Sequence, residues 1–316
     1  MKKFALRLTM LMIALAAATA AGAESARFNV ASYNLRQSNQ RDSLDGNGWG
    51  RRCPHEGELI RFHEFDIFGT QEGFKPQLED LKALLPGYEY IGVARDDGKE
   101  SGEHSAIFYR TDLFELLDNG DFWLSETPDR PGLGWDAVCV RICSWGKFRH
   151  RPSGKEFLFF NLHMDHVGTT ARVESAKLVR KKIAEIGGGL TAFVTGDFNV
   201  DQTHSSYATM TDNGELNDSF VVADFVYAPN GTFNSYQTDG FTTSRIDHVF
   251  VTPDVHVEKY GVLTDTYRTP EEDDVDVKPG DAPAELKMKR YKARVPSDHF
   301  PVLVRVELND HPKTNT

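Results

Sequence analysis

Apolar and polar positions along the chain change period several times, and the changes mark out elements. Between Arg27 and Tyr33 the pattern alternates, with Phe28, Val30 and Ser32 on one side, and predicts a strand. Residues 37–54, rich in Asn, Asp, Gly and Arg, predict a loop, and residues 56–65 carry Leu59, Ile60, Phe62 and Phe65 at helical spacing. A short buried strand is predicted over 66–70. A helix is predicted over 76–85, opened by Pro76 and stopped by Pro86-Gly87. Strands follow at 88–93, 105–109, 114–122, 137–145 and 157–163, the last strongly apolar. Residues 170–186 form the clearest helix, with Ala176, Val179, Ile183 and Ile186 on one face and Gly187-Gly188-Gly189 closing it. A strand at 191–195, a short helix at 205–210 and strands at 245–252, 256–264 and 302–308 complete the series. Strands outnumber helices, and helices lie between some of them, which predicts an α/β or α+β sandwich.

One stretch departs from this pattern. Residues 269–296 begin acidic (Glu271, Glu272, Asp273, Asp274, Asp276) and turn basic (Lys287, Lys289, Arg290, Lys292, Arg294), with little apolar content. They read as a solvated, mobile loop inserted just before Pro296. The N-terminus also stands apart. Lys2, Lys3 and Arg7 precede an apolar run from Leu8 to Ala20 and a small-residue Ala21-Gly22-Ala23 site. That is the pattern of a signal peptide over residues 1–23, too short for a membrane span. Residues 24–316 are then expected as one exported domain, secreted or periplasmic and monomeric.

The formal net charge of −11 disfavours tight binding to a polyphosphate backbone unless a basic patch or a bound metal reverses the field locally. Three cysteines cannot build a disulfide framework. In an extended run Cys139 and Cys143 lie ~13 Å apart, too far to bond. A bond from Cys53 to either one, or three buried thiols, both remain open. No Cys/His spacing suggests structural zinc.

The chemistry gathers where strands end. Asn34 ends the first strand, and Glu72 follows the 66–70 strand. Asn161 and His163 end the 157–163 strand, and Asp197 and Asn199 follow the 191–195 strand. Asp247 and His248 lie in the 245–252 strand, and Asp298 and His299 precede the last one. Any one of these could cap a strand. Gathered at one sheet edge, they would make a pocket of carboxylates, amides and histidines suited to Mg²⁺ or Mn²⁺. Phosphoester hydrolysis needs such an inventory: charge neutralisation on the non-bridging oxygens and a positioned water.

Gln71-Glu72, Asn161-x-His163, Gly196-Asp197-Phe198-Asn199, Arg245-Ile246-Asp247-His248 and Ser297-Asp298-His299-Phe300-Pro301 occur in an order that resembles the endonuclease/exonuclease/phosphatase family. The resemblance runs from Phe28 to Leu308, and the run Phe122 to Pro128 resembles its exported bacterial members. It implies a four-layer α/β/β/α sandwich of two mixed sheets flanked by helices, the DNase I-like fold. It implies Glu72 as the principal metal ligand, helped by Asn34 and Asp298. His299 is implied as the catalytic histidine paired with Asp247, Asp197 as the residue that positions or activates water, and Asn199, His163 and Asn161 as phosphate contacts.

The family's second carboxylate, two residues after the first Asn in some nucleases, is replaced here by Arg36. A cation at that position can contact phosphate, and it argues against a second metal site. Tyr109 is a further candidate phosphate contact, and Trp123, like Trp135, a candidate platform for a base or sugar; a structural place in the sheet competes for each. His104, His166 and His248 read as structural or rim residues. The function implied is a divalent-metal-dependent hydrolase of phosphoester bonds, acting on a small or lipid-like phosphoester or a nucleotide. The alternatives are a secreted DNase- or RNase-type nuclease and a non-catalytic phosphate-binding module. A carboxylate-pair glycosidase would not need the Asp-His pair beside Asp-x-Asn.

Overall fold

The computed structural model describes residues 26–271, 275–277, 280–283 and 285–308. The expected signal peptide at 1–23 lies outside them. The first sheet holds β1 (Ala26–Asn34), β2 (Ile67–Gln71), β3 (Tyr88–Ile91), β4 (Ile107–Arg110), β10 (Phe225–Tyr227), β12 (Val255–Val262) and β17 (Val302–Leu308), in the order β10-β12-β17-β1-β2-β4-β3. The second holds β5 (Phe114–Trp123), β6 (Ile142–His150), β7 (Glu156–His163), β8 (Thr191–Asp197), β9 (Asn217–Asp218) and β11 (Asp247–Val251), in the order β5-β6-β7-β8-β11-β9. Each sheet mixes parallel and antiparallel pairs: β1 runs parallel to β2 and antiparallel to β17, and β7 runs parallel to β8.

The inner faces of the two sheets meet over an aromatic-rich core that includes Phe28, Phe114, Phe148, Phe157 and Phe193. Helices α1 (Gln40–Leu44), α2 (Trp49–Phe62) and α3 (Lys75–Leu84) belong to the first half of the chain. Leu59 and Ile60 of α2 and Leu78 and Leu81 of α3 cover the outer face of the first sheet. Helices α4 (Thr169–Gly187), α5 (Ser205–Thr211) and α6 (Ser219–Val222) belong to the second half, and Ala176 and Val179 of α4 with Met210 of α5 cover the outer face of the second sheet. Both faces of each sheet are therefore buried, which explains why β7 and β8 read as continuous apolar runs rather than alternating ones. The four-layer sandwich is as expected.

Two expectations need correction. Residues 37–54 are largely helical, not a loop. Asn39 caps α1 by accepting a hydrogen bond from the Asp42 amide, and α2 begins at Trp49. Trp49, Cys53, Gly57 and Ile60 line one buried face of α2, a spacing that the Gly- and Asn-rich composition and Pro54 conceal. The charged stretch before Pro296 is not structureless either. β13 (Tyr267–Pro270) pairs antiparallel with β16 (Tyr291–Arg294), and β14 (Asp276–Val277) with β15 (Met288–Lys289). A two-stranded ribbon can satisfy its own backbone with almost no core, so low apolar content does not exclude it. The three cysteines are free thiols. No helix among the described residues is long and apolar enough to cross a membrane.

Candidate active site

The site lies where the two sheets meet at one edge. The last residues of β1, β7 and β8, the first of β11 and the turns after β2 and before β17 converge there. Asp197 is its hub. Its Oδ2 accepts from Asn34 Nδ2 at 3.1 Å and lies 3.5 Å from His163 Nε2 and 3.8 Å from His299 Nε2. Its Oδ1 accepts from the Asn199 amide at 2.8 Å. Asn34 also donates to Glu72 Oε1 at 3.1 Å, so one buried amide fixes two carboxylates from opposite sheets. The Gln37 amide holds Glu72 Oε2. Ser297 Oγ donates to the Asn34 carbonyl at 2.7 Å, which ties the Asp298-His299 turn to the end of β1.

His299 Nδ1 lies 2.9 Å from Asp247 Oδ2. Burial alone would depress this imidazole, but Asp247, at hydrogen-bond distance, and then Asp197 hold it well above the ordinary histidine value. That surrounding favours the imidazolium, with Nδ1 donating to Asp247. His163 goes the other way. Burial, reinforced by the nearby Arg141 cation, pushes it down to about 3. It is neutral, and its Nε2 accepts from Asn199 Nδ2 at 3.0 Å; the second Nδ2 hydrogen goes to the Met164 carbonyl at 2.9 Å, so, contrary to expectation, Asn199 keeps no amide donor for phosphate. The two histidines thus act as one donor and one acceptor. Burial raises Asp197, and it raises Asp298 to about 6. Glu72 is lowered: burial works against ionisation, but the His299 charge and the hydrogen bond from the Gln37 amide outweigh it.

Backbone strain concentrates here. Among the described residues eight non-glycine positions have positive φ, and Arg36 (55°), Glu72 (64°) and Asn199 (51°) are three of them. Left-handed backbone at bulky residues costs roughly 1–3 kcal/mol each and persists only where surroundings enforce it. The guanidinium of Arg36 is bound by Asp42 at 2.8 Å and lies 3.6 Å from Asp298 and 3.9 Å from Glu72.

Three candidates fall elsewhere. Asn161 is fully buried between the sheets. Its Oδ1 accepts from Gln71 and Thr195, and its Nδ2 donates to the Thr70 and Ala106 carbonyls, so no donor is left for phosphate. Gly69 makes room for it, since a methyl there would collide with Asn161 Oδ1 and Thr195 Oγ1. Tyr109 pairs with Ile67, at the end of β2 opposite Glu72, and packs on Phe148 in the core. Trp123 is buried and donates from Nε1 to the Arg95 carbonyl at 2.7 Å, so it is no exposed platform.

The structure adds residues that the sequence reading passed over. Arg141 is buried beside His163, and among the described residues its Nε and Nη1, like the buried Nε of Arg95, make no hydrogen bond. Carboxylates stand close to both: Glu103 binds Arg95 Nη1 at 2.5 Å and lies 4.0 Å from Arg141 Nη1, Asp165 lies 3.7 Å from Arg141 Nε, and Asp96 lies 3.8 Å from Arg95 Nε. Free guanidinium donors in a buried site suit an anion such as a phosphate oxygen. The signal was present: Arg141 is a lone charge in the otherwise apolar run Val138 to Cys143. Arg52 is the other addition. Fully buried, it donates to the carbonyls of Leu35, Arg36, Asn47 and Pro296 and to Glu56. Its i,i+4 pairing with Glu56 was legible as a motif but not as a staple.

Ligand-capable atoms of Glu72, Asp197 and His299 lie within 4.8 Å of one another, with Asp298 alongside. This is a carboxylate-rich, oxygen-dominated donor set, and it fits a hard divalent cation. Residues 31–299 match the Endonuclease/Exonuclease/phosphatase family. The chain belongs to that family. Its members are hydrolases that act on phosphoesters. Among solved structures the chain is similar to a family member from Bacteroides thetaiotaomicron, with 56% identity and a TM-score of 0.83, covering 91% of this chain and 100% of that one. It is similar to a mannosyl-6-phosphatase of the same species, with 57% identity and a TM-score of 0.81 over 88% and 99% of the two chains. A family member from Bacteroides vulgatus is 40% identical, with a TM-score of 0.76 over 90% and 99%.

Proposed function

We propose that this protein is an exported, divalent-metal-dependent phosphatase that releases inorganic phosphate from sugar phosphates. The observation that carries the reading is the Asp247–His299–Asp197 arrangement: a protonated imidazole held by one buried carboxylate and facing a second. The 57% identity to a mannosyl-6-phosphatase supports a sugar phosphate as substrate. The residues that would hold the metal are Glu72 and Asp298, with Asn34 orienting Glu72; the donor set favours Mg²⁺ or Mn²⁺, which would neutralise charge on the phosphate oxygens.

The chain's own groups do the rest. Asp197, raised by burial, accepts a proton from the attacking water. The water oxygen bonds to phosphorus as the bond from phosphorus to the sugar oxygen breaks. The departing oxygen takes a proton from solvent water, Asp197 returns its proton to solvent, and the products are the free sugar and inorganic phosphate. His299 donates from Nε2 to a phosphate oxygen, so it serves as a charged clamp rather than as the base. Arg141 supplies a further donor, while Asn199, whose amide is spent on His163 Nε2 and the Met164 carbonyl, holds neutral His163 in place rather than touching phosphate. The acidic net charge works against the nuclease alternative. Residues 1–23 serve as the export signal in this reading.

The test is a phosphate-release assay on enzyme stripped with a chelator and resupplied with Mg²⁺ or Mn²⁺. The panel is mannose 6-phosphate, bis(4-nitrophenyl) phosphate and plasmid DNA. Metal-restored release from mannose 6-phosphate, abolished in Glu72→Ala and His299→Ala, supports the reading. Plasmid nicking without monoester hydrolysis would overturn it in favour of a nuclease.

A further inference from the structure

Beside the site opens a cleft of about 810 Å³, far larger than a phosphate group needs. Its walls come from residues 41–47, from the segment 233–239 and from Lys292 and Arg294 of the ribbon, and it shares Arg36 and Asp298 with the site. We infer that this cleft is the leaving-group subsite, and that its charged rim selects a neutral polyhydroxylated group: a sugar ring or short glycan. The inference rests on the phosphatase reading and goes beyond it by locating substrate choice in Arg41, Asp45, Asp239 and Lys292.

Charge is the first argument. The lining holds four cations, Arg36, Arg41, Lys292 and Arg294, and four carboxylates, Asp42, Asp45, Asp239 and Asp298. A groove for a polynucleotide or for a second phosphate would be cationic. A lipid tail would need an apolar wall, yet among the described residues Phe233, Tyr236 and Ala293 are the only apolar or aromatic linings. Closely mixed carboxylates and cations instead offer acceptors and donors for the hydroxyl pairs of a sugar. Arg41, Asp45, Asp239 and Lys292 make no side-chain hydrogen bond or ion pair among the described residues, so those groups are free to take them. Phe233, 41% exposed and set edge-on to His299 at 5.0 Å, gives the C–H face of a ring something to lie against, next to the reacting bond.

Rigidity is the second argument. The amides of Asn234 and Ser235 donate to the Asp298 carbonyl at 2.8 and 3.1 Å. Asn234 Nδ2 donates to the Ser297 carbonyl, and its Oδ1 accepts from the Tyr236 amide. Ser235 and Tyr236 both sit in left-handed backbone, at φ of 50° and 61°. This wall is therefore bound to the same turn that carries Asp298 and His299. On the far side Arg294 donates to Asn47 Oδ1 at 2.8 Å and to Thr269 Oγ1 at 3.0 Å, clamping the ribbon to the 41–47 wall. A wall built this way can hold a hydroxyl pattern in fixed register with the phosphate, which is what selectivity among sugar phosphates requires.

The experiment compares kcat/KM for mannose 6-phosphate, adenosine 5′-monophosphate and phenyl phosphate, which has no hydroxyls. The wild-type protein is set against Asp45→Asn/Asp239→Asn and Lys292→Met. Mannose 6-phosphate should lead in the wild type. The double variant should cut the ratio of mannose 6-phosphate to phenyl phosphate by about tenfold, through KM, as expected for losing hydrogen bonds to charged groups. Calorimetric titration with a mannose disaccharide, which needs no turnover, should give saturable binding that weakens in the double variant. An unchanged ratio, preference for adenosine monophosphate, or no disaccharide binding overturns the inference. Disaccharide binding without hydrolysis of any phosphomonoester would overturn the phosphatase reading and leave the subsite standing.

Discussion

The strand-end site and the cleft beside it are built on different principles. Asp197, Glu72, Asp247 and His299 sit at or beside the ends of central strands, and each is fixed by a bond from another member of the site or from a nearby amide. The cleft is walled by short helices, turns and a two-stranded ribbon, and several of its charged side chains are unbound. A centre pinned by two sheets can do one kind of chemistry. Walls carried on loops can vary without disturbing it. The comparison predicts that substitutions in the site damage every substrate alike, whereas substitutions in the cleft discriminate between substrates.

The largest effect should come from His299. Its replacement by alanine removes the only imidazolium in the site and leaves Asp247 buried without its partner. Turnover should drop by roughly 10²–10⁴, by the same factor for mannose 6-phosphate and phenyl phosphate, because the proposed mechanism puts His299 against the phosphate and not the leaving group. Steady-state kinetics on both substrates decides this. A loss confined to the sugar phosphate would mean that the boundary between the two regions is drawn in the wrong place.

Arg52 joins the regions. Its guanidinium binds the Leu35 and Arg36 carbonyls on the site side, Asn47 on the cleft side and Pro296 ahead of the Asp298-His299 turn. Its carboxylate partner Glu56 is pushed up to about 8 by burial. Arg52→Met leaves that carboxyl and four carbonyls without their donor. Each buried group left unsatisfied costs about 1–3 kcal/mol, so the urea midpoint should fall sharply. A shift worth less than ~1 kcal/mol would show that the staple is redundant.

Much of the site was readable in advance because each of its motifs ends or opens an apolar run. Asp197 closes β8 and His163 closes β7, where a packed strand has no need of such groups. The four-layer fold followed from the same runs, since two-sided burial makes strands continuously apolar. Arg95 and Glu103 escaped because they come from irregular segments whose spacing carries no period; Arg141 stood out as a lone charge in an apolar run, but nothing in the sequence tied it to the strand ends. Residues 37–54 escaped because glycines, asparagines and Pro54 mask the buried face of α2. Asn161 shows a different limit: strand alternation tells which residues share a face, but not whether that face meets solvent or another sheet.

His248 belongs to neither region, although it neighbours Asp247. It lies on the helix-covered side of β11, stacked on Phe250 and near Phe198 and Tyr207, with Nε2 at 3.2 Å from the Val200 carbonyl. Burial pushes it down to about 4, with the nearby Asp218 opposing and Arg245 assisting. In the unfolded chain it titrates near 6.5. Above that value it is neutral in both states and costs nothing. As pH falls from about 6.5 to 4 the unfolded chain binds the proton and the folded one refuses it, so stability declines by up to ~3 kcal/mol. His248→Gln should flatten this acid limb in a series of urea melts, while neutral-pH turnover follows the wild-type pattern across substrates. An acid limb unchanged by the substitution would assign it to other groups.

The smallest effect should come from Trp123, and it separates the two regions most cleanly. A tryptophan that stacks a base or a sugar must present a face to solvent, yet this one is buried, with its ring against Gly98 and its Nε1 on the Arg95 carbonyl. Its role is to hold the Arg95 loop, and through it the Arg95–Glu103 pair beside His163. Trp123→Phe keeps most of the apolar volume and deletes that one bond, which should cost about 1 kcal/mol of stability, because a part-buried carbonyl loses its donor. KM for mannose 6-phosphate relative to phenyl phosphate should stay within about twofold, since ring stacking worth ~1–3 kcal/mol was never present to be lost. A selective rise in KM for the sugar phosphate would place the sugar on the Trp123 side of the phosphate. It would then deny that role to the cleft walled by Asp45, Asp239 and Lys292.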